Sequence, residues 1–291
     1  MQGALVCVGV GMMLGAHLTP RARAEIEHAD VVFALVSDPL VELWLQELRP
    51  DLRSLQPYYG DGSSHGKPRR ESYREMVVAM LAEVRAGRRV CGAFYGHPGV
   101  FALVPHQAIR EARDAGFPSH MEPGISAEDC LYADLGIDPG DVGCQHFEAS
   151  QLLCHQRRID PSAFLVLWQV GVVGDRSTRR FETGPAYRRL LLEVLAAAGY
   201  PSRHEVIAYE AATLPIGQPR MDRLPLSEVE QYEFRIHTTL VLPPALPLVR
   251  NEEMLARIAR LDEESLSVAF APNDKPRRTG AEPKLLEPVP P

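Results

Sequence analysis

Short apolar, β-branched runs alternate with helical patterns through the first part of this chain, and that alternation constrains the fold more than any other feature. Residues 5–8, 31–36 and 89–94 read as strands. Residues 20–28, 39–48 and 105–115 read as helices, the last closed by Gly116. A longer helix over 70–86 carries Met76, Val77, Met80, Leu81 and Val84 on one stripe, the pattern of a core-facing side. Strands that alternate with helices imply a largely parallel sheet covered on both faces.

After Pro123-Gly124 the rhythm changes. A helix over 126–135 leads to strand-like runs at 144–148 and 163–170, a helix at 186–198, and strands at 204–209 and 238–242. Fewer crossovers separate these strands, so the second sheet is expected to be mixed. At 291 residues the chain exceeds one ordinary core. The reading is therefore two α/β domains, residues 1–120 and 121–247, followed by a C-terminal helix and tail over 248–291. That tail is rich in proline and charge from Pro272 onward and is expected to be disordered.

Composition removes several function classes. No apolar run approaches the roughly 20 residues that a bilayer demands, and a secretory signal is absent from the N-terminus. Five scattered cysteines without a Cys-x-x-Cys pair read as free thiols, which fits a reducing cytoplasm. A net charge of −7 argues against nucleic acid as a partner. The histidines are dispersed and no ligand-spaced cluster is visible, so no metal is expected.

Four places could carry chemistry. Gly9-Val10-Gly11 follows the first strand, but Leu14 occupies the third glycine's place and Asp38 comes late, which disfavours a dinucleotide. Phe94-Tyr95-Gly96-His97-Pro98-Gly99-Val100-Phe101 forms an irregular loop at a strand's carboxyl end, where α/β sheets bind ligands. In Glu122-Pro123-Gly124-Ile125-Ser126-Ala127 a sharp turn leaves Ser126 placed to cap a helix or to face a ligand's polar end. The fourth is Tyr58-Tyr59, Arg69-Arg70 and Tyr73. Arg69 and Tyr73 are four apart and share a helix face. A nearby arginine is expected to favour the phenolate of a tyrosine that otherwise titrates near 10. The glycine-punctuated stretch between these tyrosines and arginines reads as a mobile lid.

The first three motifs, in this order, resemble the tetrapyrrole methylase (class III methyltransferase) family over about residues 4–245. Within it, the loops at 95–101 and 122–127 resemble the borosin peptide backbone N-methyltransferases. So do Leu167-Trp168-Gln169, Tyr209-Glu210-Ala211-Ala212 and Thr238-Thr239-Leu240. The resemblance implies two α/β domains with S-adenosylmethionine in the cleft between them. It implies cofactor contacts from Gly9, Gly11, Tyr95, His97, Val100, Phe101, Ser126, Ala127, Gln169, Ala212 and Thr239. It also implies catalysis by Tyr59, Arg69, Tyr73 and Tyr95: Tyr59 takes the amide proton, Arg69 and Tyr73 donate to the imidate-like oxygen, and Tyr95 positions the amide. Whether Arg69 or Arg70, and Tyr58 or Tyr59, matches the family is left open by the loop length between them.

Fused members of that group carry their substrate peptide at the C-terminus. The ending Lys284-Leu285-Leu286-Glu287-Pro288-Val289-Pro290-Pro291 does not resemble one, because its prolines have no N–H to methylate. A separate ribosomal precursor peptide, methylated repeatedly in trans by a cytoplasmic homodimer, is therefore the expected arrangement. The competing expectations are a small-molecule methyltransferase of the tetrapyrrole type and a cofactor-binding subunit without catalysis.

Overall fold

A computed structural model describes residues 2–36, 38–60 and 67–269, with side chains as far as residue 263. The expected lid falls largely on residues 61–66, and the expected disordered tail on residues beyond 269; both lie outside the described residues.

The chain divides into two compact units, Met1–Pro247 and Leu248–Pro291. The first unit holds two α/β domains, each built on its own five-stranded sheet. In the first domain β1 (Ala4–Gly9), β2 (Val31–Leu35), β3 (Arg53–Ser54), β4 (Arg89–Phe94) and β5 (Ser119–Met121) pair in parallel in the order β3-β2-β4-β1-β5. From β1 the chain moves toward β2 on one side, and from β4 toward β5 on the other. Right-handed crossovers in opposite directions place their helices on opposite faces. Accordingly α1 (Pro20–His28) and α2 (Pro39–Leu48) bury Ala22, Ile26, Val41 and Leu45 against one face. On the other face α3 (Arg69–Arg85) buries the expected stripe of Met76, Val77, Met80, Leu81 and Val84, beside α4 (Leu103–Asp114). The loops after β1 and β4 part at this switch point, where such sheets hold ligands.

The second domain begins with α5 (Ala127–Leu135), stopped by Gly136 in the left-handed region (φ 65°), and the single turn α6 (Pro139–Val142). Its sheet is mixed, as the sequence suggests. β6 (Cys144–Glu148) pairs in parallel with β7 (Phe164–Trp168), and β10 (Thr239–Leu242) runs antiparallel to both β7 and β8 (Glu205–Glu210). β9 (Arg220–Pro225) adds an antiparallel edge. Two helices, α7 (Ala149–Cys154) and α8 (Pro185–Ala197), cover one face through Leu152, Leu191 and Leu195. The register places the ends of β7 and β8 beside the start of β10, with Thr239 opposite Tyr209 and Glu210 opposite Arg220.

In the second unit the expected C-terminal helix is α9 (Glu252–Ala269), which leaves Met254, Leu255, Ile258 and Leu261 exposed. No described helix is long and apolar enough to cross a membrane.

Candidate active site

A cavity of about 610 Å³ opens at the carboxyl edge of the first sheet, and the register edge of the second sheet closes it. Its first-domain wall comes from loops that leave parallel strands side by side. Gly9 and Leu35 both register with Phe94, so the segments after β1, β2 and β4 emerge together. Gly11 and Gly96 exchange backbone hydrogen bonds at 3.2 and 2.9 Å, which ties the first and third of those loops.

The structure gathers all four expected catalytic residues, Tyr59, Arg69, Tyr73 and Tyr95, on this cavity. Tyr59 ends a short 3-10 turn after β3, and its ring meets Tyr73 edge-on at 6.0 Å between centroids. The alternatives left open by the sequence separate in space. Tyr58 packs against the first domain's core, and Arg70 faces a different, smaller cavity.

Arg69 is held from the second domain. Its guanidinium donates to the Arg180 carbonyl, lies 3.6 Å from the Asp175 carboxylate and sits 5.5 Å over the Phe181 ring. Its backbone N–H donates to Thr178 at 2.9 Å. The expected shift of Tyr59 toward phenolate does not occur. Burial pushes the Tyr59 phenol up, Tyr73 and Tyr95 add to the rise, and Arg69 opposes them without prevailing. In this arrangement Tyr59 is a neutral phenol whose ring meets Tyr73 edge-on.

Most of the expected cofactor contacts also line the cavity. Tyr95, His97, Val100 and Phe101 come from the loop after β4, Ser126 and Ala127 from the start of α5, and Gln169, Ala212 and Thr239 from the second sheet's edge. Gly9 and Gly11 do not. A Cβ on Gly9 would sit 2.3 Å from the Gly96 carbonyl oxygen and 2.8 Å from the Gly124 Cα. Gly11 has φ +77°, and a Cβ there would sit 2.1 Å from the His17 Cβ. These glycines let three loops close on one another.

Several side chains are preset by hydrogen bonds. His97 Nδ1 accepts from the Gly99 N–H at 2.9 Å, so in the neutral ring the proton sits on Nε2. Ser126 and Asp129 form a capping box, with the Ser126 hydroxyl donating to Asp129 Oδ2 at 2.6 Å. The capping role read from the sequence therefore holds alongside the position on the cavity. Phe101 (φ 49°) and Gln169 (φ 59°) both occupy the left-handed region, a strained state for residues with side chains that clusters at functional sites.

The sequence reading missed a charged cluster on the second-domain wall. Glu210 pairs with Arg220 at 3.0 Å, Arg235 at 3.1 Å and His237 at 3.3 Å, and accepts from the Thr238 hydroxyl. Burial pushes the Glu210 carboxyl up, but the Thr238 hydroxyl with His237, Arg235 and Arg220 outweighs it and holds it below the usual range. It also missed Trp168, which packs on Phe101 at 5.1 Å and donates to His146 Nδ1 at 3.2 Å. Thr213 links the domains: its carbonyl accepts from Leu14 at 2.8 Å, and its hydroxyl donates to Asp38 at 3.4 Å. Away from the cavity, Glu25, His120 and Glu122 bring ligand-type atoms within 4.8 Å of one another. Arg21 already pairs with both carboxylates, at 3.1 and 3.3 Å.

Comparison with known proteins agrees with this geometry. The profile of the tetrapyrrole (corrin/porphyrin) methylases matches residues 4–229. The chain is 38% identical over 282 residues to a methyltransferase and type I borosin cyclic peptide precursor of Coprinopsis marcescibilis, covering 92% of this chain and 70% of that one. It is 35% identical over 284 residues to the methyltransferase and omphalotin A precursor of Omphalotus olearius, covering 94% of this chain and 64% of that one. Against two other such precursors, from Gymnopus fusipes and Mycena rosella, it spans 62% and 61% of their length. Among solved structures, a uroporphyrin-III C-methyltransferase from Thermus thermophilus complexed with S-adenosylhomocysteine superposes with a TM-score of 0.54 at 21% identity, over 83% of this chain and 92% of that one. The chain belongs to the tetrapyrrole methylases and, within them, to the group that includes the borosin peptide methyltransferases.

Proposed function

We propose that this chain transfers methyl groups from S-adenosylmethionine to backbone amides of a separate ribosomal peptide. The observation that carries the reading is the convergence of Tyr59, Arg69 and Tyr73 on one cavity that is also lined by nine of the residues expected from the resemblance to contact the cofactor. The cavity volume of about 610 Å³ falls within the usual range of small-molecule sites, roughly 300–1,000 Å³. Val100, Ala127 and Ala212 would give the cofactor apolar walls; Ser126, Gln169 and Thr239 would give it hydrogen-bonding groups. When bound, S-adenosylmethionine supplies an electrophilic methyl on a sulfonium.

An amide nitrogen is a poor nucleophile because its lone pair is shared with the carbonyl. Two things must then come from the chain: a place for the N–H proton and a stabiliser for charge on the carbonyl oxygen. The Tyr59 phenol loses its own proton to solvent base, and the phenolate then takes the amide proton. Arg69 and Tyr73 face the oxygen as donors, and Tyr95 orients the amide. Because Asp175 and the 178–181 segment hold Arg69, this donor is set in place before reaction.

The cavity's charges favour a peptide over a polycarboxylate tetrapyrrole. Arg69 is paired to Asp175, Arg220 to Glu210 and Asp222, and Arg235 to Glu210. A heavily acidic macrocycle would have to break these pairs to find partners. The resemblance to the borosin enzymes further supports a homodimer in the cytoplasm, which light scattering on the purified chain checks for oligomeric state.

The test is to incubate the full chain and methyl donor with a short apolar peptide encoded beside it, and separately with a uroporphyrinogen. Successive methyl-sized mass steps on the peptide are expected. Methylation of the tetrapyrrole with an unchanged peptide would overturn the reading.

A further inference from the structure

A second cavity, of about 390 Å³, adjoins the first and shares Arg69, Gln169 and Val172 with it. Its charge balance is different. In the large cavity every arginine is paired to a carboxylate. In the small one Arg70, at the start of α3, and Arg176, in the loop beyond β7, are exposed and have no hydrogen-bond or ionic partner among the described residues.

The carboxylates nearby are already engaged. Glu148 accepts from the Ser150 N–H at 3.3 Å as the cap of α7. Asp175 accepts from Ser177 through the backbone at 2.9 Å and the hydroxyl at 2.6 Å, besides facing Arg69. Arg157, outside the lining, donates to Gln151 on the cavity wall at 2.9 Å. The lining carries three guanidinium groups, Arg69, Arg70 and Arg176, against two carboxylates, Glu148 and Asp175, and with Asp175 facing Arg69 the groove keeps a net positive charge that an anion would offset.

We infer that the smaller cavity is a docking subsite for acidic side chains of the polypeptide substrate, flanking the residue whose amide faces Tyr59 and Tyr73. The inference rests on the peptide reading above. An extended chain advances about 3.3 Å per residue. Because the two cavities share a wall, a strand with one amide in the large cavity carries residues a few positions away into the small one. Arginine's planar fork matches a carboxylate in two parallel hydrogen bonds, which suits Glu or Asp there. Nucleic acid fits less well, since it tracks a basic surface rather than a recess in an acidic protein.

The experiment is fluorescence anisotropy on the full chain at low salt. The probes are a short labelled peptide of alternating Glu and Ala, its Lys-for-Glu counterpart, and a labelled single-stranded oligonucleotide. The Glu peptide should bind most tightly, and added salt should weaken it. The double variant R70E/R176E should weaken it about tenfold, the scale of two lost exposed charge pairs plus new repulsion. Unchanged S-adenosylhomocysteine binding by calorimetry shows that the double variant is folded. If it is not, Arg176→Gln alone, on an exposed loop, should still cost about threefold. Equal affinity for the Glu and Lys peptides, no effect of the substitutions, or a preference for the oligonucleotide would overturn the inference. No methyl transfer takes place in this assay, so its failure counts against the subsite alone. An absence of methylated peptide in the reaction described above counts against the function alone.

Discussion

In the first domain the groups that face the large cavity come from a 3-10 turn, the first turns of α3 and the loop after β4, whereas in the second several belong to the strand ladder itself. Tyr59 ends the turn after β3, Arg69 and Tyr73 lie on the first turns of α3, and Tyr95 follows β4. Trp168, Glu210 and Thr239 are strand residues of the second sheet, and Glu210 is locked to its cross-strand neighbour Arg220. The contrast teaches a division of labour. In the proposed reaction the first domain presents the groups that move the proton and stabilise charge, and the second supplies a hydrogen-bonded wall. The second domain also reaches across to hold Arg69 through Asp175 and Phe181.

The division predicts unequal consequences for substitutions on the two sides. Replacing Arg69 by Ala or Tyr73 by Phe should lower turnover by about 10²–10⁴-fold, while S-adenosylhomocysteine affinity measured by calorimetry stays near wild type. Loss of cofactor binding in step with turnover would erase the distinction between the domains. On the other wall, Glu210→Gln should lower stability by about 3 kcal/mol, read as a falling Tm, because it leaves Arg220 and Arg235 facing one another without their shared carboxylate. A Tm equal to wild type would show that the wall does not depend on this cluster.

The Tyr59 phenol sharpens the comparison through pH. Its ionisation is pushed above the ordinary tyrosine range by burial, so its base form is scarce at neutral pH and grows about tenfold per pH unit while pH stays below that value. Single-turnover rates should therefore climb steeply through the alkaline range, and Tyr59→Phe should flatten the slope. The smallest effect is expected at the junction between the domains. Ser126→Ala removes one side of the α5 capping box and should cost about 1 kcal/mol in chemical denaturation. A loss several times larger would mean that Ser126 carries more than its helix.

How far each part was legible in the sequence follows the same divide. The strands and helices of the first domain announce themselves because βαβ crossovers alternate clean apolar runs with amphipathic ones; Pro39–Leu48 and Arg89–Phe94 are examples. The edge strand Arg220–Pro225 carried no such signal, since its exposed residues lack apolar alternation. Without that strand nothing in the sequence places Arg220 opposite Glu210, and the charged cluster stayed hidden. Tyr59, Arg69 and Tyr73 could be singled out from spacing and resemblance. The choice of Arg69 over Arg70 needed the positions of Asp175 and Phe181, more than a hundred residues away in the chain. Gly9 illustrates the opposite failure. A glycine after the first strand suggests a ligand loop, yet its missing side chain makes room for the Gly96 and Gly124 backbones.

The central claim is that the methyl acceptor is a backbone nitrogen. Fragmentation mass spectrometry of a peptide treated with the chain and a deuterium-labelled methyl donor tests it most directly. Label is expected on consecutive backbone nitrogens of an apolar segment, and none when Tyr73 is Phe. Label confined to a side chain or to the peptide terminus would contradict it.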